Sequence, residues 1–188
     1  MFILANWIGV SFVNSEDRTQ QFLTRLHVKN ETTYHMSKII SIAIFMIPIY
    51  TITIFVPIVA GMFVRDILFN EIIAYFIVHF LISLLGLLVG VFFNSNLFSQ
   101  EFGISSHLLV ICICVIPFNV IFYDNLFIVY AYYFIPPISF LAYRLHNLDN
   151  GYFLFDLHFF IFVANAIIYS IILIVLYNVI MRYKTKAQ

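Results

Sequence analysis

Apolar residues dominate this chain in long unbroken runs, and the lengths of those runs decide what they form. A helix that crosses a bilayer needs about 20 consecutive apolar residues. Residues 39–64, between Lys38 and Arg65-Asp66, and residues 72–93, between Glu71 and Asn94-Ser95-Asn96, meet that length and predict two spanning helices. Residues 107–123, closed by Asp124-Asn125, predict a shorter third span, and residues 157–181, which run into Arg182-Tyr183-Lys184, predict a fourth. Residues 1–13 are apolar but too short to span, and read as part of a helix. Residues 127–143 are apolar but interrupted by Pro136-Pro137. Two adjacent prolines remove two backbone donors and bar the preceding residue from helix, so a hairpin that enters the membrane and returns is the expected form.

The sustained polar interruption is SEDRTQQFLTRLHVKNETTYHMSK, residues 15–38, within a connecting segment spanning residues 14–38. Ser15 is placed to cap a helix, with Glu16 and Asp17 in the first turn, where acids interact favourably with the helix dipole. Thr19, Phe22, Leu23 and Leu26 then recur at helical spacing, backed by Gln20, Gln21, Thr24 and Arg25, which predicts a short helix with a narrow apolar stripe. Asn30 before Glu31 reads as a second cap, opening a helix that passes Tyr34 and Lys38 into the first span. Such an amphipathic helix either lies solvated at the membrane interface or offers its stripe to the groove of a cytoplasmic protein.

Charge sets an orientation. Short cytoplasmic loops collect Lys and Arg. With 127–143 re-entrant, four spans put the polar segment and the C-terminal tail on one side. That side then holds seven basic residues, Arg18, Arg25, Lys29, Lys38, Arg182, Lys184 and Lys186, against Arg65 and Arg144 opposite. With 127–143 spanning, the division becomes five against four. The first arrangement carries the stronger bias and places the polar segment and the C-terminus in the cytoplasm.

Composition agrees with the run lengths: the 188 residues are 63% hydrophobic and only 10% charged, with mean hydropathy +1.02, which excludes an ordinary soluble domain. The fold class is therefore an all-α, multi-pass helical bundle in the lipid bilayer. A formal net charge of zero offers no basic surface to nucleic acid. Cys112 and Cys114, one residue apart in an apolar run, suit neither zinc nor a disulfide framework. Asp149, Asp156 and His158 lack the spacing of a metal site, and no catalytic constellation is present. Asp, Glu, Lys and Arg all fall outside the spans or at their edges, where an ion-coupled transporter would need such groups in mid-membrane. His79 alone sits deep in a span, where a helix-to-helix hydrogen bond is its expected role. No GxxxxGK[ST] loop occurs, so the chain carries no phosphate loop for ATP hydrolysis. Gly86 and Gly90, a GxxxG with Ser83 extending its small face, suit close helix packing or a dimer contact. Pro48 and Pro57 predict kinks in the first span.

The order of these elements resembles the permease subunits of type-2 ABC transporters. That family's polar segment carries an acid, a Gly-Thr pair, two leucines, a Leu-Pro step and a Lys opening the next span. Thr19, Leu23, Leu26 and Lys38 fall at those places, with Arg18 where Gly is usual and His27 where Pro is usual. The resemblance implies that residues 15–38 hold a coupling helix, with Glu16, Asp17, Thr19, Phe22, Leu23 and Leu26 facing a cytoplasmic ABC ATPase subunit. It implies a second permease subunit, as a homo- or heterodimer. ATP and Mg would be bound by the ATPase, with no cofactor in this chain. The implied function is ATP-driven export of a hydrophobic or amphipathic substrate, a peptide or drug, across the cytoplasmic membrane. The family has a complete pair of helices before the coupling segment, so 1–13 reads as the remnant of the second, in an N-terminally shortened chain. An accessory polytopic protein without its own pathway is the alternative.

Overall fold

The computed structural model describes residues 1–28, 31–62, 67–93, 107–108, 155 and 157–186. All regular structure among them is helical: α1 (Phe2–Ser15), α2 (Arg18–His27), α3 (Glu31–Val59), α4 (Phe69–Phe92) and α5 (Leu157–Lys186). The expected span at 107–123 and the hairpin at 127–143, with Pro136 and Pro137, lie outside the described residues, as does the expected cap Asn30.

Three helices are long and apolar enough to cross a membrane, at Thr32–Val59, Phe69–Phe92 and Phe159–Tyr183. The chain is thus built as an all-α, multi-pass membrane protein. α4 is the central helix. Its apolar window is 56% buried within the protein, against 28% for that of α3 and 22% for that of α5, whose remaining apolar faces suit lipid. One face of α4, with Ala74, Val78, Leu81, Ile82 and Leu85, packs with Phe2 of α1 and with Phe159, Phe162 and Ala166 of α5. Its other face, with Leu87, Leu88 and Val91, meets Ile42, Met46 and Tyr50 of α3.

Pairings along the helices fix their directions. Thr32 meets Arg182, His35 meets Tyr177 and Met36 meets Asn178, so α3 and α5 are antiparallel. Tyr50 lies edge-on to Phe76 and Phe80, and Phe55 edge-on to Phe76, so α3 and α4 are antiparallel as well. Phe2 faces Gly86 and Asn6 faces Gly90, and α1 runs with α4. The C-terminal ends of α1, α4 and α5 therefore gather with the N-terminal end of α3, and α2 sits at that same end.

The α1–α4 seam shows why α4 carries glycines. A Cβ at Gly86 would overlap the Phe2 carbonyl oxygen, and one at Gly90 that of Asn6. From the other side, a Cβ on Gly9 would stand 2.8 Å from the Leu87 carbonyl oxygen. Absent side chains let the two backbones approach closely, which is how helices gain contact in a membrane. The GxxxG of α4 is thus filled by α1 of the same chain.

Helix ends differ from expectation where local chemistry overrides run length. α3 stops at Val59 rather than at residue 64. Gly61 adopts φ +63°, the Met62 N–H donates to the Pro57 carbonyl and the Gly61 N–H to that of Ile58, which is a Schellman cap. Pro48 and Pro57 both lie inside the continuous α3. α4 opens three residues early, at Phe69, because the buried Glu71 carboxylate accepts the Leu68 N–H at 2.9 Å and satisfies an otherwise orphaned donor. Among the described residues the hydrogen bond of His79 is local: its Nδ1 lies 2.8 Å from the carbonyl of Tyr75, one turn back in its own helix.

Candidate functional site

The polar segment begins differently from its sequence reading. Ser15 does not cap α2. It is the last residue of α1, and its Oγ donates to the Phe12 carbonyl at 2.8 Å. Glu16 follows with extended backbone, φ −84° and ψ 121°, and α2 starts only at Arg18, so Glu16 and Asp17 precede the first turn. The Asp17 carbonyl accepts the Gln21 N–H at 2.9 Å, opening the helix ladder.

Freed from the helix, the Glu16 side chain turns to α3. Its Oε2 accepts the Tyr34 hydroxyl at 2.5 Å and forms an ion pair with the Lys38 ammonium. The same ammonium stands 4.6 Å above the Tyr34 ring, a cation–π arrangement. Tyr34 is buried, and the Glu16 and Lys38 side chains are only 19% and 14% exposed. At such burial an ion pair is poorly screened, and separating it leaves a charge in a low-dielectric setting. The Gln21 amide adds a hydrogen bond to the Glu16 carbonyl at 3.0 Å. The junction between α1 and α2 is thereby anchored on the first two turns of α3.

From Tyr34 the contacts continue to α5. Tyr34 meets the buried His35 edge to face at 5.0 Å, and His35 meets Tyr177 likewise at 5.3 Å. The Tyr177 hydroxyl lies 3.3 Å from His35 Nδ1. Arg182 Nε donates to Thr32 Oγ1 at 2.9 Å, and the Asn178 amide approaches Met36 Sδ at 3.5 Å.

Beside this anchor, α1, α2 and α3 enclose a cleft of about 340 Å³, lined by Phe12, Glu16, Gln20, Thr24, Ser37 and Ser41 among others. Gln20 and Thr24, though themselves exposed, border this cleft. The stripe predicted from sequence points elsewhere: Phe22, Leu23 and Leu26 are 63%, 52% and 65% exposed, and Thr19 is exposed beside them. At about 100° per residue the stripe centres about 130° around the helix from Gln20 and Thr24. A short helix packed for its own sake on a protein shows the opposite arrangement, apolar side in.

The sequence-derived candidates therefore divide. Thr19, Phe22, Leu23 and Leu26 share one outward face, while Glu16 binds α3 and Asp17 leads into the helix. Gly86 and Gly90 belong to the α1–α4 seam, away from α2. Sequence reasoning missed Tyr34 and Lys38 as partners of Glu16, because 18 and 22 residues separate them and no local spacing links them. Among the described residues no group of His, Cys, Asp or Glu is arranged to hold a metal ion. Comparison of the chain with protein-family models, curated proteins and solved structures finds no match.

Proposed function

We propose that this chain is the membrane-spanning permease subunit of an ATP-driven exporter of the type-2 ABC kind, and that α2 is the helix that docks on its ATPase subunit. The observation that carries this reading is the setting of α2: it is tethered at its start through Glu16 and holds Phe22, Leu23 and Leu26 exposed. Three neighbouring apolar side chains framed by polar ones match what a partner's groove recognises in an amphipathic helix. The anchor joins α2 to α3 and, through Tyr34, His35 and Tyr177, to α5, which provides a route by which movement of a docked subunit reaches the membrane helices. In this reading α2 and the end of α5 are cytoplasmic, in keeping with the seven basic residues assigned to that side. A second permease subunit completes the pathway, and the cargo is a hydrophobic or amphipathic peptide or drug, consistent with the low charge of the spans.

The test is co-expression with candidate ABC ATPase subunits, followed by affinity capture from mild detergent. Capture of the ATPase by the wild-type chain, and its loss with Leu23→Asp or Leu26→Asp while membrane insertion is unchanged, is the expected result. No ATPase recovered with the wild-type chain, or equal recovery with both variants, overturns the reading and leaves an accessory membrane protein.

A further inference from the structure

The orientation of α2 needs an agent, because an apolar stripe beside an apolar bundle tends to fold onto it. We propose that the Glu16–Lys38–Tyr34 cluster is a latch that fixes the direction of α2 on the end of α3, with Glu16 and Lys38 as positioning residues. Three observations converge on it. Only Glu16 and Asp17 lie between the last residue of α1 and the first of α2, so whatever holds Glu16 sets where α2 begins and which way its stripe faces. Glu16 is held from two directions, by the Lys38 ammonium and by the hydroxyl of the buried Tyr34. Lys38 is held in turn over the Tyr34 ring, so the three side chains constrain one another. By contrast, the hydrogen bonds of the Thr24 and His27 side chains stay within α2, to the carbonyls of Gln20 and Leu23, and its outer face is exposed.

The latch rests on a firm base. Tyr34 packs against His35, which meets Tyr177 of α5, so the α3–α5 contact holds Tyr34 in place while Glu16 directs α2. The consequence for transport rests on the docking role of α2, but the latch itself is a property of this chain and is measured without any partner.

The experiment uses the full chain, with Cys112 and Cys114 replaced by Ser, reconstituted in lipid nanodiscs. Nitroxide labels at His27→Cys and Tyr183→Cys report the α2–α5 distance, and a control pair at Ile44→Cys and Ile171→Cys reports α3 against α5 within the membrane. The expected result is a narrow His27–Tyr183 distribution that broadens at least twofold in Glu16→Gln and in Lys38→Met, and narrows again in the exchanged pair Glu16→Lys with Lys38→Glu. The control distribution stays fixed throughout. Single variants with the parent distribution overturn the proposal. Broadening of the control pair to the same extent also overturns it, since the cluster then serves the bundle as a whole, and so does failure of the exchanged pair to restore the distribution. A responsive latch in a chain that captures no ATPase sinks the docking role alone.

Discussion

Replacing Phe22, Leu23 and Leu26 together by alanine removes most of the outward apolar surface of α2 and nothing else of consequence. Fully burying one such side chain is worth about 2 kcal/mol. The exposures of 63%, 52% and 65% leave the equivalent of somewhat under two whole side chains to be covered by a partner. Their burial on docking therefore contributes about 3.5 kcal/mol, of which alanine's retained Cβ keeps a part, for a net loss of about 3 kcal/mol. At about 1.4 kcal/mol per tenfold, the ATPase subunit should bind the triple variant about a hundredfold more weakly. Alanine is the best helix former, so α2 itself should persist.

Titration of labelled ATPase onto nanodisc-held chain, by interferometry, measures this directly. The same samples give the thermal midpoint, which should move by no more than a degree or two, because these three side chains contribute little to the bundle. A loss of affinity below about threefold, with the ATPase still bound, refutes the argument: the stripe would then lie outside the contact. A loss of affinity accompanied by a large fall in the midpoint refutes it as well, since the residues would then be holding the fold.

The seam between α1 and α4 gives a sharper structural prediction. Gly90→Val or Gly86→Val drives a side chain into the backbone of Asn6 or Phe2, and should lower stability in detergent by about 3 kcal/mol, read as a lower thermal midpoint and easier proteolysis of α1. Gly61→Ala meets no atom within 4 Å but must hold φ +63°, so it should cost only about 1 kcal/mol, confined to the end of α3. Equal effects at Gly61 and Gly90 would show that the close backbone approach is not what Gly90 serves.

Spanning helices were legible in the sequence because their signal is local. Run length alone places α4 within three residues at its start and one at its end, and it places the body of α3 and α5. Their ends were less legible, since they are set by single polar groups: Gly61 terminates α3 ahead of Arg65, and Glu71 reaches back to open α4 before its apolar run begins. Gly61 could have been found by asking which glycine can take a left-handed turn near the end of a run. The stripe of α2 was legible from its 3.6-residue period, but its direction was not. Period tells which residues share a face, whereas direction is decided by what tethers the start of the helix. Here that is an ion pair closed across 22 residues, and reading it as first-turn acidity mistook a long-range contact for a local one.

The sizes of the two competing terms explain how so few residues can hold α2. Rolling the helix by about 130° to bring its stripe onto α1 and α3 would return at most the 3.5 kcal/mol estimated for burying it. The roll would draw Glu16 away from Lys38 and leave a largely buried ammonium without its carboxylate, a loss of about 3 kcal/mol for a pair at this depth, and would also drive Gln20 and Thr24 away from the cleft they line. The terms nearly cancel, so removing the charge of Glu16 should be enough to let the stripe fold inward. Trp7 is the chain's single tryptophan, so a Trp7→Phe, Phe22→Trp chain carries one indole, placed on the stripe. In nanodiscs that indole should be quenched readily by aqueous iodide with Glu16 intact, and at least twofold less in the Glu16→Gln background as it turns against the bundle. Brominated lipid supplies the complementary reading, since strong quenching by it in the parent would place the stripe in the bilayer rather than toward a soluble partner. Identical iodide quenching with and without the Glu16 charge would mean that the stripe faces outward for some reason other than the ion pair.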